Sequence, residues 1–154
     1  MEDEKKYKEL SRKLIKQWQE EKIQLNEGAT EEELNNFETE LNIKLPKDFR
    51  YFYSLVNGMQ EGCSDKHLFE LWSLNYILKK EKGVLVYVVE TESEVEIPFG
   101  DWLIDSHRYS LVFDKFGTSS IRVDGDDPPV LLNSFASFLD AYLFNPESIC
   151  LWLI

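Results

Sequence analysis

The order of elements read along the chain predicts an α+β fold, with N-terminal helices and a C-terminal helix packed against a mainly antiparallel β-sheet. Three observations carry this. Apolar residues recur at helical spacing as far as Gly58. After Gly62 the texture turns to β-branched and alternating residues, with a hairpin signal around Asp114-Lys115-Phe116-Gly117. A last helical stripe then follows the strands.

Tyr7, Leu10, Leu14 and Trp18 stand at steps of three and four, and Lys and Glu fill the other faces of this first helix. Glu27-Gly28-Ala29 breaks it. Thr30 and Glu33 form a capping box, in which the hydroxyl and the carboxylate satisfy each other's backbone N–H groups. It opens a second helix that turns Leu34, Phe37 and Leu41 inward. Leu45-Pro46 ends that helix, because the residue before proline is pushed toward extended geometry. Pro46 suits the first position of a third helix, in which Phe49, Phe52, Tyr53 and Val56 share a face. Leu45, Phe49, Phe52 and Val56 are therefore expected in the core. Asn57-Gly58 closes the helix, with Gly58 left-handed. His67–Leu74 reads as a strand, Asn75–Lys82 as a short helix, and Val84–Glu90 as a β-branched run of either type. Glu94-Val95-Glu96-Ile97 alternates and is ended by Pro98-Phe99-Gly100. Tyr109–Phe113 and Ser119–Asp124 form the hairpin, and Gly125–Pro129 is a turn. The last helix runs from Ser134 to Phe144, with Phe135, Phe138, Leu139, Tyr142 and Leu143 inward, Asn133 or Ser134 capping and Pro146 as the stop.

At 154 residues the chain suits one domain, 1–154, with a core that needs no staples. Cys63 and Cys150 make no disulfide framework and are expected as reduced thiols. The opening Met-Glu-Asp-Glu-Lys-Lys lacks a signal-peptide layout, and no apolar run reaches membrane-spanning length, so a cytoplasmic protein is expected. The longest apolar run is 149–154. Exposed, it would form a patch that monomers seldom tolerate, so it docks as a terminal strand or mediates self-association; a monomer or weak homodimer is expected. The 29 acidic against 17 basic residues leave a net charge of −12. That balance disfavours nucleic acid and anionic membranes as partners, since both are bound through cations.

Gly28-Ala29-Thr30-Glu31-Glu32-Glu33-Leu34, then Leu41-Asn42-Ile43-Lys44-Leu45-Pro46-Lys47-Asp48-Phe49 and Val56-Asn57-Gly58, resemble the opening of the SUKH superfamily. Ile97-Pro98-Phe99-Gly100-Asp101 and Asn133-Ser134-Phe135-Ala136-Ser137-Phe138-Leu139 resemble its second half, although Trp102-Leu103-Ile104 stands where a more glycine-rich turn is expected. The resemblance covers about residues 27–143. It implies helices packed on an antiparallel sheet and no general catalytic motif. It further implies either an immunity protein, which binds and neutralises a toxin domain, often a nuclease, or an interaction hub like the yeast cell-wall assembly regulator.

The residues themselves point away from catalysis. His67 and His107 sit in no nucleophile motif. Asp105-Ser106-His107 holds the residue types of a triad, but neighbours in sequence do not make a relay, and a polar turn is the plainer reading. Cys63, His67, His107 and Cys150 are too scattered to read as a zinc site; a core or loop thiol beside a surface histidine is expected. Asp124-Gly125-Asp126-Asp127 lacks the ligand alternation and closing Glu of a calcium loop. No metal or cofactor is therefore expected, and the aromatic residues fall at core spacing.

Charge is unevenly spread: residues 1–50 carry 13 acidic and 10 basic side chains, the remainder 16 and 7. This excess serves solubility, or it steers a partner with a basic surface, such as a toxin nuclease. The residues expected to meet such a partner are Asp101, Asp105, Asp124, Asp126 and Asp127, in turns beside strands. Trp102 joins them as a hot-spot anchor unless it folds into the core.

Overall fold

The structure is a computed structural model, which describes residues 2–81, 89–90, 94–103 and 106–151. Helix α1 (Glu2–Glu20) starts with Glu2, Asp3 and Glu4 at its positive end and buries Leu10, Leu14 and Trp18 against the third and last helices. Strand β1 (Leu25–Glu27), which the sequence did not announce, pairs with β2 (Val56–Met59). Between them, α2 (Glu31–Leu41) opens with the expected capping box: Glu33 N–H donates to Thr30 Oγ1 (3.1 Å) and Thr30 N–H to Glu33 Oε1 (3.0 Å). Asn42, left-handed at φ 52°, ends it.

Helix α3 (Lys47–Leu55) corrects two expectations. Pro46 stands one residue earlier than predicted, at the cap, and the helix stops before Val56 instead of at Asn57-Gly58. The chain turns straight into β2, so Val56 is buried from a strand. Gly58 is left-handed (φ 74°) within that strand, not at a helix end. Leu45, Phe49, Phe52 and Val56 are all buried, as expected.

The His67–Leu74 strand contracts to β3 (Phe69–Leu71), because Leu74 already begins α4 (Leu74–Glu81), where its N–H donates to Asn57 Oδ1 at 2.9 Å. Strand β4 is Val89–Glu90; the rest of the Val84–Glu90 run lies outside the described residues. Strand β5 (Glu94–Trp102) does not end at Pro98-Phe99-Gly100. It absorbs the proline through a register shift between Pro98 and Gly100 and continues to Trp102. Strands β6 (His107–Asp114) and β7 (Ser119–Asp124) form the expected hairpin. Past the 125–129 loop lies β8 (Val130–Leu132), too short to read from sequence. The larger sheet is antiparallel throughout, in the order β3-β5-β6-β7-β8, with β4 also paired to β5.

Helix α5 (Phe135–Phe144) is capped by Ser134, whose Oγ accepts the Ser137 N–H. Asp48 joins two helix starts: Oδ1 accepts the Phe49 N–H and Oδ2 the Ala136 N–H. Phe49 and Phe52 of α3, Phe99 of β5, and Phe135 and Phe138 of α5 meet at ring separations of 5.0–5.7 Å. This edge-and-face packing is what aromatic quadrupoles favour. The core therefore lies between one sheet face and the helices. Helix α5 ends at Phe144 ahead of Pro146, as expected, and Pro146 then opens a 3-10 turn (Pro146–Ile149). The described part of the tail docks on the domain through this turn: Ile149, Cys150 and Leu151 are buried, and Tyr109 Oη donates to the Ile149 carbonyl at 2.6 Å. Trp152–Ile154 lie outside the described residues.

Asp65 sits inside this core. Asp65 Oδ2 accepts the Trp18 indole N–H (3.1 Å), and Oδ1 accepts the backbone N–H groups of His67 and Phe69. Burial outweighs these donors and pushes the carboxyl up to about 6. Its folded value thus lies above its unfolded one. The stability it contributes is complete below about pH 4 and lost as pH rises through about 6, a change on the order of 3 kcal/mol. Asp65→Asn keeps the carbonyl acceptor for the two backbone groups but sets an amide N–H₂ against Trp18. Denaturant melts at about pH 4 and about pH 7 should show this variant less stable than the parent at low pH, with the Asp65 share of the pH dependence gone. An unchanged dependence would show that another group titrates.

Candidate functional site

Most of the expected contact residues converge on one end of the large sheet. Register sets Asp101 opposite Arg108 and Arg108 opposite Asp124, so that acid, base and acid cross β5, β6 and β7 in a row. Trp102 stands opposite His107, and their rings meet at 5.3 Å. Asp126 and Asp127 are exposed in the β7–β8 loop beside them.

Burial divides this set. Asp101 is a buried strand residue and not a turn residue, so its side chain is not offered to a partner. Trp102 is 7% exposed, and its indole N–H donates to the His67 carbonyl at 2.6 Å. It is therefore a core residue and not an interface anchor. Asp101 was misplaced, because the expected turn is strand paired with its neighbour β3 (Glu70 with Asp101), whereas Trp102, paired with Phe69, takes the core alternative. Asp105 lies outside the described residues. Asp124, at the end of β7, is half-buried; its carboxylate, after burial itself, raises Glu96, while Arg122 opposes that shift at 3.2 Å from Glu96. The accessible acids are Asp126, Asp127 and the rim of Asp124.

His67 and His107 are both buried, correcting the expected surface histidine. His67 packs edge-on against Tyr142 (5.7 Å), and burial lowers its pKa. His107 meets two residues far away in sequence. Its Nε2 lies 3.2 Å from Asp126 Oδ1, and Cys150 Sγ donates to Asp126 Oδ2 at 3.3 Å. Ligand-type atoms of the three side chains lie within 4.8 Å of one another. Gly125 lets the loop close on the ring, since a Cβ there would run into the imidazole of His107.

These are the residue types of a cysteine-based triad in the wrong order. In a working triad the imidazole stands between nucleophile and carboxylate and removes the proton. Here the carboxylate stands between thiol and imidazole. Burial, and then Asp126, push the Cys150 thiol up to about 11, while donors from His107 and Cys150 hold Asp126 below the usual carboxylate range. The thiol is thereby kept protonated, the reverse of activation. Sequence reading missed this cluster because its members stand 19 and 24 residues apart along the chain. The hint available was the acidic Asp124-Gly125-Asp126-Asp127 turn.

Among the described residues, no helix is long and apolar enough to cross a membrane. The sequence profile of the SMI1 / KNR4 family (SUKH-1) matches residues 28–141, from just before α2 to within α5. No curated protein sequence matches the chain.

Proposed function

Because the chain belongs to the SMI1 / KNR4 family (SUKH-1), a family that covers immunity proteins and SMI1/KNR4-like proteins, we propose that it is a non-enzymatic, cytoplasmic protein-binding domain: an immunity protein that neutralises a toxin domain with a basic surface, such as a nuclease. The observation that carries this is the gathering of accessible carboxylates, Asp126, Asp127 and the rim of Asp124, at one end of the sheet. On a chain of net charge −12, such an end stands in for the phosphates that a nuclease cleft attracts. The inverted order of thiol, carboxylate and imidazole supports the non-enzymatic reading. With Trp102 withdrawn into the core, an exposed apolar contact near this end among the described residues is Leu131, 65% exposed on β8.

The test is functional rescue. Co-expression of this chain should relieve the toxicity of a basic C-terminal toxin domain encoded beside it, and the purified pair should bind directly. Association should slow as salt rises from about 50 to about 500 mM, because screening shortens the reach of the field. Asp127→Lys combined with Asp124→Lys should slow association roughly tenfold at low salt and change dissociation little, as rim charges do. Tight binding at an association rate flat in salt would overturn the steering. Binding without rescue would favour the alternative reading, an intracellular adaptor or regulatory hub.

A further inference from the structure

The meeting of His107, Asp126 and Cys150 joins a borderline nitrogen, a hard oxygen and a soft sulfur at one point. We propose that His107 Nε2, one carboxylate oxygen of Asp126 and Cys150 Sγ form a transition-metal site that takes Zn²⁺, with a fourth position open to solvent beside the exposed Asp126. The donor set decides the metal class. Imidazole and thiolate select zinc-like ions, whereas calcium and magnesium demand oxygen ligands throughout. The acidic turn at Asp124–Asp127 therefore serves a different ion from the one its composition first suggests.

The geometry is nearly assembled. Zinc bonds of about 2.3 Å to sulfur and about 2.0–2.1 Å to nitrogen or oxygen place tetrahedral ligand atoms roughly 3.5 Å apart. Nε2 and Oδ1 are 3.2 Å apart, Sγ and Oδ2 3.3 Å, and no pair of ligand atoms exceeds 4.8 Å. Closure needs a shift on the order of 1 Å, which falls to the loop carrying Asp126.

The other two ligands are held by one strand. His107 opens β6, and Tyr109, two residues on, fastens the Ile149 carbonyl and with it the peptide that carries Cys150. Trp102 fixes the imidazole from one side and Gly125 lets the loop lie against it. Ligands on rigid elements with packed surroundings are what a metal site requires. Binding displaces one proton: the thiol releases it to solvent, while the imidazole keeps its own on Nδ1 and offers Nε2 to the metal.

The purified full chain, with thiols kept reduced, tests this with Zn²⁺ and with Co²⁺ as a spectroscopic stand-in. One zinc per chain should bind, and the melting temperature should rise with zinc concentration. Cobalt should give a thiolate-to-metal charge-transfer band that Cys150→Ser abolishes and Cys63→Ser leaves in place. Because Cys150 is buried and its substitution threatens folding, Asp126→Asn supplies the second check: shown to be folded without metal by its circular dichroism, it should lose tenfold or more in zinc affinity. Absence of a cobalt band in the parent would overturn the site. So would a band that survives in folded Cys150→Ser, equal zinc affinity in Asp126→Asn, or equal competition by Ca²⁺.

Discussion

Phe52→Ala is expected to cost about 3–5 kcal/mol of folding stability, the range for emptying a fully buried aromatic position. Phe52 is 0% exposed, at the point where three helices meet. Its ring lies edge-on to Trp18 of α1 at 6.0 Å and to Phe135 of α5 at 5.5 Å. Alanine removes both contacts at once, and rings anchored to separate helices cannot easily close the space. Leu55→Ala is the control on the same helix: it is 40% exposed and should change stability by about 0.5 kcal/mol or less. Urea melts measure both. A loss under about 1 kcal/mol for Phe52→Ala would mean that α3 presents another face to the core.

Gly58→Ala is expected to be comparably severe, at about 2–5 kcal/mol, from two causes. The residue sits at φ 74°, where a side chain costs about 1–2 kcal/mol. A Cβ would also come within 2.6 Å of the Trp72 carbonyl carbon and the Ser73 nitrogen, both backbone atoms, and overpacking of this kind costs about 1–3 kcal/mol. Relief by backbone movement would pull on Asn57, whose side chain caps α4, and on Tyr53, whose hydroxyl donates to the Trp72 carbonyl at 2.7 Å. Denaturant melts of Gly58→Ala should show the loss. A variant within about 1 kcal/mol of the parent would show that β2 and the 72–73 segment can separate freely.

Gly58 also shows what was legible in the sequence and what was not. Its left-handed conformation was readable, because Asn-Gly after an apolar helical stripe demands it. Its place inside a strand was not, because β2 exists only through its pairing with β1, a three-residue segment with no pattern of its own. Elements whose determinants are local were readable: the Thr30–Glu33 box, the β6–β7 hairpin and the Phe135–Phe144 stripe. So was the family, carried by short motifs in order. Burial imposed by distant partners was not, as for Asp101, whose strand is flanked by β3. The same holds for Cys150, which reaches His107 and Asp126 only after the tail docks.

The packing of α1 against α5 has a consequence for biosynthesis. Leu10, Leu14 and Trp18 leave the ribosome well before α5, yet their cover includes Tyr142 of that helix, whose ring meets Trp18 at 5.8 Å. Until Phe135–Phe144 has emerged, the nascent chain carries an amphipathic helix with an open apolar stripe. Folding that waits on a contact between sequence-distant segments is slow, and transiently exposed apolar surface is what invites aggregation and chaperone capture. Translation that pauses before codon 135 should therefore leave a species bound by trigger-type chaperones, whereas a chain extended past α5 should release them.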